Sequence, residues 1–127
     1  MPAAHILAVD DEPELVELIA YHLRKAGHSA ANGWEALAEV QRRRPDLILL
    51  DLMLPDLDGF GVCEILRRDA ATATIPVIII SAWASTDSRH LGLELGALDY
   101  LTKPFSPHEL VQRVNRFTEV RAGRAAN

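Results

Sequence analysis

The sequence predicts a single doubly wound α/β domain built on a parallel β-sheet. Three observations carry this reading. Short apolar runs alternate with amphipathic segments along the whole chain. The runs themselves, "HILAV", "LILLD" and "PVIIIS", are continuously apolar instead of alternating apolar with polar, which marks strands covered on both faces. Finally, 127 residues with 49% hydrophobic and 24% charged content are the length and composition of one globular domain with one substantial core. Repeats, low-complexity tracts and an internal linker are absent.

Each element has its own local reason. "HILAV" (5–9) reads as the first strand. Leu15, Val16, Leu18, Ile19 and Leu23 then follow helical periodicity, with Pro13 suited to the first turn and Gly27 to a C-terminal cap. Asn32-Gly33 opens a second helix carrying Trp34, Leu37 and Val40, which Pro45 closes. "LILLD" (47–51) is a central strand, followed by a loop and a helix from Gly59 to Asp69 with Asp58 as its N-cap. "PVIIIS" (76–81) is the next strand, and a helical stretch near 87–95 ends at Gly96. "ALDYLT" (97–102) is the last strand. "SPHE" (106–109) has the form of a capping box with proline in the first turn, and the helix it starts buries Leu110, Val111, Val114 and Phe117.

Composition excludes several classes of function. No apolar run approaches the roughly 20 residues that a membrane helix needs, and the start "MPAAHILAVDDE" has no charged n-region, long apolar region or cleavage site. One cysteine, Cys63, rules out an internal disulfide framework and any cysteine-rich zinc site. It lies in a helix, where it suits a small buried apolar role. The setting expected is cytoplasmic. A net charge of -5 argues against this chain binding nucleic acid by itself, because phosphate contacts need clustered Lys and Arg. The run Arg42-Arg43-Arg44 is short and ends a helix, where cations favour the dipole.

In an open parallel sheet, ligands sit beyond the carboxyl ends of the strands. Strand one ends in Asp10-Asp11, strand three in Asp51, strand four in Ser81, and strand five leads into Lys103-Pro104. Each residue alone has an ordinary reading: a helix cap, a solvated strand end, a loop serine, a surface lysine. Together they place three carboxylates, a hydroxyl and an ammonium on one edge. Crowded carboxylates repel unless protonated or neutralised by a cation. Hard oxygen donors suit magnesium, which takes only one or two protein carboxylates. A carboxylate beside a divalent cation, a lysine and a hydroxyl is a site for receiving a phosphoryl group.

The motifs "VDDEPE", "LLDLMLPDLDGF", "VIIISA" and "GALDYLTKPF", separated and in this order over residues 5–120, resemble the receiver domain of bacterial two-component response regulators. The resemblance implies a five-stranded parallel sheet of order 2-1-3-4-5 with five helices, the flavodoxin-like and CheY-like arrangement, with the receiver domain in residues 1–120 and a frayed tail in 121–127. It implies that Asp51 is the phosphoacceptor, taking a phosphoryl group from a histidine kinase or phosphotransfer protein. Asp11 and Asp51 would ligate Mg2+, Asp10 would hold a bound water, and the backbone carbonyl of Met53 would be a further ligand. Lys103 would pair with the phosphoryl oxygens, its peptide to Pro104 would be cis, and Ser81 with the amide of Ala82 would bind the phosphoryl group. Tyr100, which would otherwise read as simple packing, would change rotamer with Ser81. The face made by the helix near 87–95, the last strand and the last helix would then change its affinity for an output domain or protein, or for a second copy of the chain. Such a protein is no enzyme beyond its own phosphorylation and dephosphorylation. Trp83 would shield the acyl phosphate or pack in the loop, and Asp56 and Asp58 belong to the turn and cap before the next helix.

The sequence departs from the family between Gly27 and Gly33, where only "HSAAN" stands. Five extended residues reach roughly 16 Å, one ordinary strand with nothing left for turns. Either the second strand is shortened and the second helix starts low, or residues are missing from the sequence. Trp34 would then be exposed or cover the thin edge. Competing functions fit less well. A phosphatase with an aspartyl nucleophile, of the haloacid-dehalogenase-like kind, wants a second aspartate two residues after the first, and Met53 stands there. Flavin binding on this topology wants a Gly/Ser/Thr-rich loop after the first strand, and "DDEPE" would repel phosphate. A phosphorylation-independent interaction module on the same fold leaves the full set Asp10, Asp11, Asp51, Ser81 and Lys103 without a purpose.

Overall fold

The protein's structure, a computed structural model, describes residues 5–10, 14, 17, 18, 21, 26–54, 56–83 and 85–126. Five strands, β1 (His5–Val9), β2 (Ala26–Ala30), β3 (Leu47–Asp51), β4 (Val77–Ser81) and β5 (Asp99–Thr102), pair in parallel in the order β2-β1-β3-β4-β5. The described helices are α1 (Gly33–Arg42), α2 (Gly59–Arg68), α3 (Thr86–Glu94) and α4 (Pro107–Ala126). The first helix expected from the sequence lies largely outside the described residues, as do its Pro13, Leu15, Val16, Ile19 and Leu23. Its described members Glu14, Glu17, Leu18 and Tyr21 have helical backbone.

The apolar runs fill two cores, one on each face of the sheet. Odd and even positions of a strand point to opposite faces. Ile48 and Leu50 of β3 join Ile79, Val62 and Leu66 under α1 and α2, while Leu47 and Leu49 join Ile78, Ile80, Leu110 and Val114 under α4. β1, β3 and β4 are buried along their whole length, which is why their sequences carry no polar alternation.

The helix starts are set by local chemistry. Asn32 Oδ1 accepts from the Glu35 N–H, Asp58 Oδ1 from the Gly61 N–H, and Ser106 Oγ from the Glu109 N–H. Each side chain satisfies a donor that the first helical turn leaves without an intrahelical acceptor. At the other end of α3, Gly96 takes φ +104, a left-handed conformation that glycine adopts without steric cost, and its N–H donates to the Leu93 carbonyl.

The structure corrects the expectations for the second strand. Gly27 is not a helix cap, and β2 is not shortened. Gly27 lies within β2, which pairs residue for residue with β1 from His5↔Ala26 to Val9↔Ala30. Because the strand begins at Ala26, the five residues after Gly27 need not supply both strand and turn. Ala31 and Asn32 alone make the turn, and Glu35 Oε2 accepts from the Ala31 N–H to hold it. Trp34, just inside α1, is 57% exposed. The last strand is two residues shorter at its start than its sequence suggests: the Ala97 N–H donates to the Gly92 carbonyl, so that stretch belongs to the exit of α3.

Cys63 is buried in α2, where loss of hydration and the nearby Asp58 charge push its thiol up to about 12. The folded chain therefore keeps a proton that the unfolded chain loses at lower pH, and this burial loses stabilising effect as pH rises from about 9 toward 12. At about pH 8–9 a thiol reagent is expected to leave Cys63 unmodified in the native protein and to label it in denaturant; labelling followed by mass spectrometry checks this. Gly59 packs tightly behind β3. A Cβ there would come within 2.6 Å of the Asp51 carbonyl oxygen and 2.8 Å of Leu52 Cα, both backbone atoms that cannot swing aside. Gly59→Ala is expected to cost about 1–3 kcal/mol, read as a lower urea midpoint.

Candidate functional site at the carboxyl edge of the sheet

The topology brings the chemistry-bearing residues to one edge. β1 and β3 are neighbours with Val9 opposite Leu50, so Asp10 and Asp51 emerge side by side one position further on. β4 lies on the other side of β3, and β5 beyond it, with Ser81 opposite Thr102. The Lys103 N–H donates to the Ser81 carbonyl at 2.8 Å, which fixes where the lysine leaves the sheet. Its peptide to Pro104 is cis.

From there the lysine stem crosses the end of β4. Its ammonium stands 2.9 Å from Asp10 Oδ2 and 3.0 Å from Asp51 Oδ2. Both carboxylates are buried, at 6% and 7% exposure. The other Asp51 oxygen, Oδ1, accepts from the Met53 N–H at 3.0 Å. Both Asp51 oxygens are thus held, and the carboxylate is fixed in orientation at the end of its strand. Burial pulls the Lys103 ammonium toward deprotonation, while hydrogen bonds and charge from Asp10 and Asp51 act the other way and prevail. Its pKa lies above the ordinary lysine value.

Among the described residues, the two carboxylates share the one Lys103 ammonium. Among the described residues no three acidic, histidine or cysteine side chains converge. A pair of hard oxygen donors still fits magnesium, which keeps several waters and uses one or two carboxylates. Asp11 lies outside the described residues. In front of the ammonium an open groove of about 540 Å3 is lined by Asp10, Glu14, Leu18, Ala82, Lys103, Pro104 and Phe105, leaving room for a donor group to approach.

The remaining nominated residues sit around this core without joining it. Ser81 is fully buried, and its Oγ accepts from the Trp83 N–H at 3.0 Å. Ala82 is exposed beside it, and Met53 is exposed on the far side of Asp51. Tyr100 is buried at 3% exposure with its hydroxyl donating to the Trp83 carbonyl at 2.6 Å. Trp83 is thus gripped through its backbone by both residues, and the residue is 43% exposed. Asp56 adopts φ +70 in the turn after β3 and is exposed, and Asp58 is the helix cap. Sequence reasoning missed Arg89, whose guanidinium covers the Tyr100 ring. An exposed arginine on a short helix carries no local signal of such a role.

Known proteins match on both sequence and fold. A family model described as the response regulator receiver domain matches residues 6–115. The DNA-binding response regulator MtrA of Mycolicibacterium smegmatis is 47% identical over 112 residues, covering 86% of this chain and 48% of its own length. The chain spans about half the length of the curated relatives it matches. Among solved structures, the receiver domain of a Francisella response regulator superposes with a TM-score of 0.83 at 36% identity, over 93% of this chain and 98% of that one. The receiver domain of a sensor histidine kinase from Pseudomonas aeruginosa, solved with magnesium coordinated in its active-site cleft, gives a TM-score of 0.83 at 32% identity over 92% and 98%.

The site's electrostatics generate one expectation. Lys103→Met leaves two buried carboxylates facing each other and is expected to cost about 2 kcal/mol at neutral pH, below the ~3–5 kcal/mol of a wholly enclosed pair because the lysine is partly solvated. Acidification, which protonates a carboxylate, should return part of that loss. In the wild type the raised lysine pKa means that the pairing contributes fully below the ordinary lysine value of 10.5 and fades as pH rises through the folded value. Urea midpoints across pH for both proteins check the two slopes.

Proposed function

This chain belongs to the response regulator receiver domain family, and from that premise we propose that it is the phosphoacceptor switch of a two-component system. The observation that carries the reading is Asp51 itself, a carboxylate buried at the end of a rigid central strand and held 3.0 Å from the Lys103 ammonium with Asp10 alongside. One Asp51 carboxylate oxygen attacks the phosphorus of a phosphohistidine on a histidine kinase or phosphotransfer protein. The P–N bond breaks, its electron pair returns to the imidazole, which regains a proton, and an acyl phosphate remains on Asp51.

Asp10, Asp11, Asp51 and the Met53 carbonyl would hold Mg2+ or another divalent cation, which supplies positive charge for the oxygens of the transferring group. Lys103 is already poised over Asp51 and supplies the second positive charge. Ser81 Oγ and the Ala82 amide bind the phosphoryl group once Ser81 turns from the Trp83 N–H. Tyr100 follows, because it holds the same backbone segment. The face of α3, β5 and α4 then changes its affinity for a downstream output domain or protein, or for a second copy of the chain. The chain turns over no other substrate. The reading places it in the cytoplasm; no helix among the described residues is long and apolar enough to cross a membrane. DNA contact would belong to an output domain, since this chain carries a net charge of -5.

Incubation with Mg2+ and acetyl phosphate is expected to add the mass of one phosphoryl group to the wild type and none to Asp51→Asn, and a chelator is expected to prevent the addition. Intact mass spectrometry reads all three. Equal addition to wild type and Asp51→Asn would overturn the assignment.

A further inference from the structure

Tyr100 lies on β5 with its ring in the core beneath α3, and a charged side chain closes it off from solvent. The Arg89 guanidinium lies over the ring, 5.1 Å from its centroid. Its nitrogens reach back to the strand, Nη1 toward the Tyr100 carbonyl at 3.5 Å and Nη2 toward Thr102 Oγ1 at 3.3 Å. One turn along, Gly92 is the only buried residue of α3. It packs so closely that a Cβ there would come within 2.6 Å of Ile79 Cδ1 and 3.5 Å of Tyr100 Cδ2. Inside, the Tyr100 hydroxyl donates to the Trp83 carbonyl, and the Trp83 N–H donates to Ser81 Oγ. A continuous set of contacts therefore runs from an exposed guanidinium on α3 to the hydroxyl at the end of β4.

We propose that Arg89 is a positioning residue that latches the Tyr100 ring inward and, through the Trp83 backbone, sets where Ser81 Oγ points. It touches none of the reacting atoms. The cation attracts the electron-rich face of the ring, and the planar fork of donors ties the guanidinium to the strand that carries the ring. Gly92 presents no side chain to the ring, and the guanidinium lies over the ring face. When Arg89 is lost, the ring gains a path to solvent, its hydroxyl leaves the Trp83 carbonyl, and the grip on Trp83 falls to Ser81 alone. The consequence for signalling rests on the phosphoacceptor reading above; the latch itself does not.

The test is nitration by tetranitromethane with peptide-resolved mass spectrometry. The sequence has two tyrosines, and the exposed Tyr21 serves as internal reference. Arg89→Met is expected to raise the Tyr100-to-Tyr21 nitration ratio about two- to tenfold, the factor that corresponds to losing a cation–π contact at a partly exposed site. Arg89→Lys, which keeps the charge without the fork, should restore most of the protection. The rate of phosphate uptake from acetyl phosphate should shift in Arg89→Met and return toward wild type in Arg89→Lys. An unchanged nitration ratio in Arg89→Met, or a rise as large in Arg89→Lys, would overturn the proposal. If Arg89→Met unfolds, a thiol reagent will label Cys63 as well, and Arg89→Lys against the wild type then decides: protection kept supports the latch, and protection lost in a folded Lys variant overturns it. A wild type that takes up no phosphate overturns the phosphoacceptor reading and leaves the nitration result standing.

Discussion

The Lys103 ammonium held between the Asp10 and Asp51 carboxylates is the contact on which the carboxyl edge of the sheet depends. Parallel pairing of β1 with β3 forces the two aspartates to emerge side by side, and burial denies them the water that would otherwise screen their repulsion. The Lys103 ammonium relieves this. The requirement that a lysine arrive there dictates much of what surrounds it. Its backbone must be tied to Ser81, and the chain must turn at Pro104 before α4 begins.

The rest of the molecule divides into a stiff part and a lightly held part. Behind Asp51 the packing is close: Gly59 sits against the backbone of Asp51 and Leu52, and Gly33 has its missing side chain's place filled by Leu57. These contacts lock the turn after β3 between α1 and α2, so the carboxylate cannot drift. α3 is different. It buries one glycine and exposes Leu91 and Leu93, and its links to the body include the packing of Gly92, the Arg89 guanidinium on β5 and the Arg67 guanidinium, which donates to the Glu94 carbonyl. A closely packed carboxyl edge beside a lightly anchored helix is the physical arrangement in which a local change can shift a neighbouring surface.

Much of this was legible in the sequence because it depends on local rules. The apolar runs of β1, β3 and β4 announce strands buried on both faces. Asn32, Asp58 and Ser106 announce helix starts because a short polar side chain three residues before a backbone N–H can cap it. The placement of Asp10, Asp51, Ser81 and Lys103 on one edge followed from parallel topology, since every such strand ends on the same edge. Gly27 misled because glycine is favoured just past a helix end and disfavoured inside a strand, so the local signal pointed to a cap. The choice was made by register with β1, a contact between segments about twenty residues apart in the chain. Arg89 gave no sign, because its partner is a strand residue that no helical periodicity points to.

What the sequence determined by itself was the order of elements, the burial of the central strands, the helix starts at Asn32, Asp58 and Ser106, and the set of polar groups at the carboxyl edge. These follow from periodicity, short-range hydrogen bonding and the direction in which parallel strands must run. The tertiary structure decided which of those groups touch. It placed Lys103 on both carboxylates, turned Ser81 to Trp83 instead of to the lysine, and laid Arg89 over Tyr100. The physical reason is distance: such contacts depend on a few ångströms between side chains on different elements, a quantity set by packing the whole domain and by no single stretch of it.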